Sequence, residues 1–138
     1  MRRIVLAAAM VLVTASGITG ITLASALPAS AQASCTGSSA YTNAGGHLVF
    51  VPTIGSDTHR DNCDLGLGND SNAVFWLQTT LNNCYGQHLA LDSDFGPATQ
   101  AAVKVAQRAA HITVDGVYGP QTRDHIKWGD TSGQCAVL

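Results

Sequence analysis

Apolar side chains recur at helical spacing in three stretches of the chain. In the first, Val74, Leu77 and Leu81 stand at i, i+3 and i+7, which places them on one face of a helix. Asp70 or Ser71 precedes them as a capping residue and Gly86 follows Tyr85 as a stop, so a helix is expected between these signals. In the second, Thr99, Ala102, Val103, Ala106 and Ala110 share a face, with Gln100, Lys104 and Arg108 opposite. This pattern predicts a helix from Pro97 to about His111, where the β-branched Ile112-Thr113-Val114 takes over. A third, shorter helix starts at Pro120, carries Ile126 and is expected to stop near Trp128-Gly129. The run His47-Leu48-Val49-Phe50-Val51-Pro52 follows Gly45-Gly46 and reads as a strand.

Two of these helices open on the same phrase. Asp92-Ser93-Asp94-Phe95-Gly96-Pro97-Ala98-Thr99 is echoed 23 residues later by Asp115-Gly116-Val117-Tyr118-Gly119-Pro120-Gln121-Thr122. Both fit D-x-x-[FY]-G-P-x-T, and each position has a physical task. The Asp accepts backbone N–H bonds and closes a turn, and the aromatic anchors that turn to a core. The Gly allows unusual backbone angles, and the Pro enters the helix where its missing N–H costs nothing. Asp92, Phe95, Gly96, Pro97, Asp115, Gly116, Gly119 and Pro120 are therefore read as determinants of the fold.

With these motifs in order, the chain resembles the three-helix peptidoglycan-binding domain. The resemblance is carried by Val74-x-x-Leu77-Gln78-x-x-Leu81, Gly86, the first turn, Ala102-Val103, Gln107 and the second turn, over roughly residues 68–128. It implies a mainly α fold, a compact three-helix bundle with two repeated turn-helix units, and a bacterial cell-wall ligand. Three departures stand out. Ser93 occupies a position where the family usually has Gly, Ala106 one where it has a large aromatic, and Phe75-Trp76 lie on a face that is usually polar.

The N-terminus points to export. Arg2-Arg3 precedes an apolar run from Ile4 to Val13, and Ala29-Ser30-Ala31-Gln32-Ala33 offers small-x-small cleavage sites. Residues 1–33 are read as a secretory signal peptide, 34–67 as an N-terminal extension and 68–138 as the three-helix domain with its tail. Loss of Arg2 and Arg3 takes the formal net charge from −2 to −4. An acidic mature chain argues against nucleic acid as a partner. No apolar span follows the signal, so no membrane partner is expected after its removal.

Cys35, Cys63, Cys84 and Cys135 all survive cleavage. An even number in a small exported chain reads as two disulfides, for which three connectivities exist. We prefer Cys35–Cys63, closing the extension on itself, with Cys84–Cys135, tying the end of the first helix to the tail. Such bridges stiffen a domain whose core is small. The extension is expected to cover Trp76, which points away from the Val74, Leu77 and Leu81 face.

Residues for catalysis are scattered. His47, His59, His88, His111 and His125 show no i, i+4 pair and no H-E-x-x-H motif, so no metal site, cofactor or catalytic residue is assigned. A ligand site is expected at the second turn, where Tyr118 offers a ring and hydroxyl, Gln121 an amide and Arg123 a donor fork for a carboxylate. The first reading is a secreted, non-catalytic module that binds peptidoglycan through glycan or stem peptide. A secreted interaction or inhibitor protein on the same fold is the second, and a small cell-wall hydrolase the third.

Overall fold

The computed structural model describes residues 32–130 and 132–138. The expected signal peptide thus lies, apart from its last two residues, outside the described residues. Elements run in the order β1 (Gly37–Thr42), β2 (Leu48–Thr53), α1 (Asn72–Tyr85), α2 (Pro97–Ala109), α3 (Pro120–His125), β3 (Trp128–Gly129) and β4 (Cys135–Ala136).

This architecture corrects the expectation of a mainly α three-helix bundle. The helices have 14, 13 and 6 residues, and they share the core with two antiparallel two-stranded sheets. The extension supplies a hairpin where a single strand was expected. Its β1 strand pairs with β2 in the register Gly37 to Thr53 through Thr42 to Leu48. The tail supplies β3 and β4, so Trp128-Gly129 forms a strand rather than the end of a helix.

Helix α1 is the central element, packed by β1, β2, α2 and β3. Its Val74, Leu77 and Leu81 are fully buried, and Val49 and Val51 of β2 are buried in the same core. Gly86 caps α1 in the left-handed conformation at φ 61°, which costs a glycine little. At the other end, Ser71 does not cap with its side chain; its hydroxyl donates to the Cys35 carbonyl at 3.2 Å instead. Pro97 and Pro120 open α2 and α3 directly after Gly96 and Gly119.

The hairpin is anchored at both ends. Asn43, 3% exposed, accepts the Gly45 and His47 N–H groups and donates to the Trp128 carbonyl at 3.2 Å. At the base, Leu65 and Tyr118 exchange backbone bonds of 2.8 and 2.9 Å. Disulfides join Cys35 to Cys63 and Cys84 to Cys135. Phe50 stacks on Trp76 with ring centroids 4.3 Å apart, leaving both rings half-buried.

The candidate ligand cleft and its framework

Two buried glutamines organise the turns. Gln78 Nε2 donates to Asp92 Oδ1 at 2.8 Å, the Asp94 carbonyl at 3.0 Å and Thr99 Oγ1 at 3.2 Å, while its Oε1 accepts the Ser93 N–H. Gln107 Nε2 makes the corresponding bonds to Asp115 Oδ1 at 2.7 Å, the Val117 carbonyl at 2.9 Å and Thr122 Oγ1 at 3.0 Å, while its Oε1 accepts the Gly116 N–H. Each amide, 1% exposed, is thereby satisfied on both of its ends. Asp92 and Asp115 also close their own turns by accepting the Asp94 and Val117 N–H groups. The Gln78 amide, then the Asp94 N–H, hold the Asp92 carboxyl below its ordinary range. Sequence reasoning had assigned turn closure to the aspartates but missed the glutamines as clamps. The available signal was a Gln on the preceding helix ahead of each D-x-x-[FY]-G-P-x-T phrase.

Ser93 and Gly116 occupy matching places with φ of 68° and 77°. A Cβ on Gly116 would approach Lys104 Cε to 2.6 Å and Gln100 Cγ to 2.8 Å, whereas Ser93 keeps a side chain in the strained left-handed region. Ser93→Gly should therefore raise stability by about 0.5–1 kcal/mol, the strain relieved less the added freedom of the unfolded chain. Urea unfolding would read this as a higher midpoint at unchanged slope.

The structure separates the three expected ligand residues. Tyr118 is 0% exposed and packs edge-to-face against Trp128 at 6.1 Å. Burial pushes its phenol well above the usual range, and its Oη is fully enclosed without a partner among the described residues. Arg123 is committed to Asp61 Oδ1 at 2.8 Å, the Asp61 carbonyl at 2.9 Å and Asp124 Oδ1 at 2.7 Å. Gln121 alone of the three is exposed. Arg123 is thus a latch between α3 and the extension: Asp61 also accepts the Tyr41 hydroxyl at 3.0 Å. Burial, then the bond to Asp61, pushes the Tyr41 phenol up to about 12.

The larger concavity lies where the helices end. A cleft of about 250 Å³ is lined by Cys84, Tyr85, Ala109, Ala110, His125, Lys127 and Val137. Tyr85 Oη accepts the Lys127 N–H at 2.7 Å and so fixes the cleft wall. His125 Nδ1 lies 2.9 Å from the Gln121 carbonyl; a carbonyl only accepts, so Nδ1 carries the proton and Nε2 is left for other partners. Gln121 precedes His125 by one helical turn and shares its face. Among the described residues, no three His, Cys, Asp or Glu side chains group so as to hold a metal ion, and no helix is long and apolar enough to cross a membrane.

Comparison with known proteins agrees with this framework. Residues 70–126 match the family model described as a putative peptidoglycan binding domain. The chain is 41% identical over 64 residues to the zinc D-Ala-D-Ala carboxypeptidase of Streptomyces albus G, across 45% of this chain and 25% of that enzyme. It therefore spans about a quarter of the length of this curated relative. A fused Zn-dependent amidase/peptidase/peptidoglycan-binding domain-containing protein from Clostridium acetobutylicum is 37% identical, with a TM-score of 0.41 over 43% of this chain and 26% of that one. A peptidoglycan-binding protein from Clostridioides difficile, solved with glutamine hydroxamate, is 26% identical, with a TM-score of 0.46 over 60% of this chain and 52% of the other. Residues 70–126 of this chain are a domain of the putative peptidoglycan-binding family.

Proposed function

We propose that the chain is an exported, non-catalytic module that holds peptidoglycan in the cleft at the helix ends. The observation that carries this reading is the composition of the cleft. Its floor of Ala109, Ala110 and Val137 suits small methyl side chains, and Lys127 and His125 stand at its edge as donors for a carboxylate. A stem peptide has that chemistry. In this reading Gln121 extends the donor edge along α3, while Tyr118 and Arg123 support the frame from within. The two disulfides support an extracellular setting. The non-catalytic reading is supported by Asp92 and Asp115, which act as turn-closing acceptors rather than free carboxylates.

Sedimentation with purified, insoluble peptidoglycan tests the reading. The oxidised protein should co-sediment and release no soluble fragments. His125→Ala combined with Lys127→Ala should weaken retention about tenfold, the loss expected for charge-assisted bonds, with the melting temperature nearly unchanged. Soluble fragments in the supernatant would instead identify a hydrolase, and failure to sediment would favour the interaction-protein reading.

A further inference from the structure

A second, smaller concavity lies on the opposite side of α1, between that helix, β2 and β3. Its walls are Leu48 and Phe50 from the extension and Trp76 from α1, with Thr80 and Asn83 along the helix and Gly129 at the end. Leu48, Phe50 and Gly129 fall outside the stretch that matches the family. The enclosed space is about 30 Å³, the share of one small group in a liquid.

The polar side chains of this groove are the informative ones. Thr80 is 2% exposed, yet its hydroxyl makes no hydrogen bond to another described residue. The fully enclosed unpartnered side-chain atom among the described residues is Tyr118 Oη, not Thr80 Oγ1; the Thr80 hydroxyl is therefore open to the groove. The Asn83 amide is likewise without a partner among the described residues, whereas its neighbour Asn82 spends both ends of its amide on Leu89. A buried hydroxyl and an amide left unpaired beside an apolar slot call for a ligand with a matching amide next to a methyl.

We propose that this groove binds the acetamido group of an N-acetylated sugar. The methyl enters between Leu48, Phe50 and Trp76, and the acetamido N–H and carbonyl pair with Asn83 and Thr80. Leu48, 60% exposed, and the half-buried Phe50 then lie under the C–H face of the pyranose ring. Phe50 stacking on Trp76 holds the aromatic wall in place before any ligand arrives. The choice of a sugar over other acetylated molecules rests on the wall-binding reading, because peptidoglycan strands are chains of N-acetylated hexosamines. The molecule then grips the wall at two points: the stem peptide at the helix ends and the glycan at the groove.

Backbone amide NMR on the oxidised full chain tests this with two probes, chitotetraose and its fully de-N-acetylated counterpart. Chitotetraose should shift the signals of Leu48 to Phe50 and Thr79 to Asn83 and leave His125 and Lys127 in place. The deacetylated oligomer should bind at least about tenfold more weakly, since it leaves the polar groups unpaired. Thr80→Val and Asn83→Ala should each weaken binding roughly fivefold in a protein that melts normally. Silence of the groove signals at millimolar chitotetraose, equal shifts with both oligomers, or unchanged affinity in both variants would overturn the proposal. Sedimentation with whole peptidoglycan runs in parallel. Retention with a silent groove removes only the acetamido site, and a responsive groove without retention removes only the wall-binding reading.

Discussion

Replacing Gln107 by leucine should destabilise the protein by about 3–4 kcal/mol, the largest loss expected from any single polar side chain here. Leucine fills a similar volume but offers neither donor nor acceptor. The Gly116 N–H would be left buried with no partner, and Asp115, the Val117 carbonyl and Thr122 would each lose a bond. Each buried group left unsatisfied costs about 1–3 kcal/mol, tempered where a remaining partner survives. Val117 and Thr122 do keep one, the Thr122 hydroxyl still reaching the Val117 carbonyl at 3.2 Å. Gln78→Leu should cost less, about 2–3 kcal/mol, because its turn is more open to water. Urea unfolding followed by circular dichroism checks both values. A loss below about 1 kcal/mol for Gln107→Leu would mean that the clamp only compensates its own desolvation.

Reduction of the disulfides should be larger still. The bridges close loops with sequence separations of 28 and 51, which the chain-entropy model values at about 3.5 and 4 kcal/mol respectively. Small domains have only about 5–15 kcal/mol of net stability, so losing both bridges should leave the chain largely unfolded at 37 °C. The two are not equivalent. Cys35–Cys63 holds the extension around the buried start of the hairpin, while Cys84–Cys135 ties β4 to α1 beside Gly129, where an added Cβ would sit 2.7 Å from Cys84 Sγ. Mass spectrometry of the oxidised protein should find no free thiol, and calorimetry with and without reductant should show the collapse of the transition. Two titratable thiols in the folded, unreduced protein would contradict the pairing on which this expectation stands.

Legibility varied with the range of the interaction. Helices α1 and α2 were readable because their apolar spacing and their Gly and Pro boundaries are local signals, and the strand at Leu48–Thr53 was readable from its β-branched run. Its partner was not. Gly37-Ser38-Ser39-Ala40-Tyr41-Thr42 has little apolar alternation, and its pairing depends on the disulfide and on Ser39 meeting Thr53 at 3.1 Å across the ladder. The two-residue strands β3 and β4 fall below any periodicity. The same division holds at the site. The turn-closing aspartates are short-range and were found, whereas Arg123 looked solvated because its partner Asp61 lies 62 residues earlier. Tyr118 was offered as a ligand ring, but the Leu65 backbone and Trp128 bury it from two distant parts of the chain.

The Arg123 latch has an evolutionary and practical corollary. Domains of this family occur beside enzymes of other kinds, as the fused amidase/peptidase from Clostridium acetobutylicum illustrates by its name. In the present chain the cassette is no longer portable. Cutting before residue 68 would strip Val49 and Val51 from the face of α1, remove the backbone partner of Tyr118 and leave the Arg123 guanidinium, 14% exposed, without Asp61. A partly buried charge deprived of its counter-ion is strongly destabilising. What began as an appendage has become structural mortar, and recombination that moves this module to a new protein must carry the hairpin along with it.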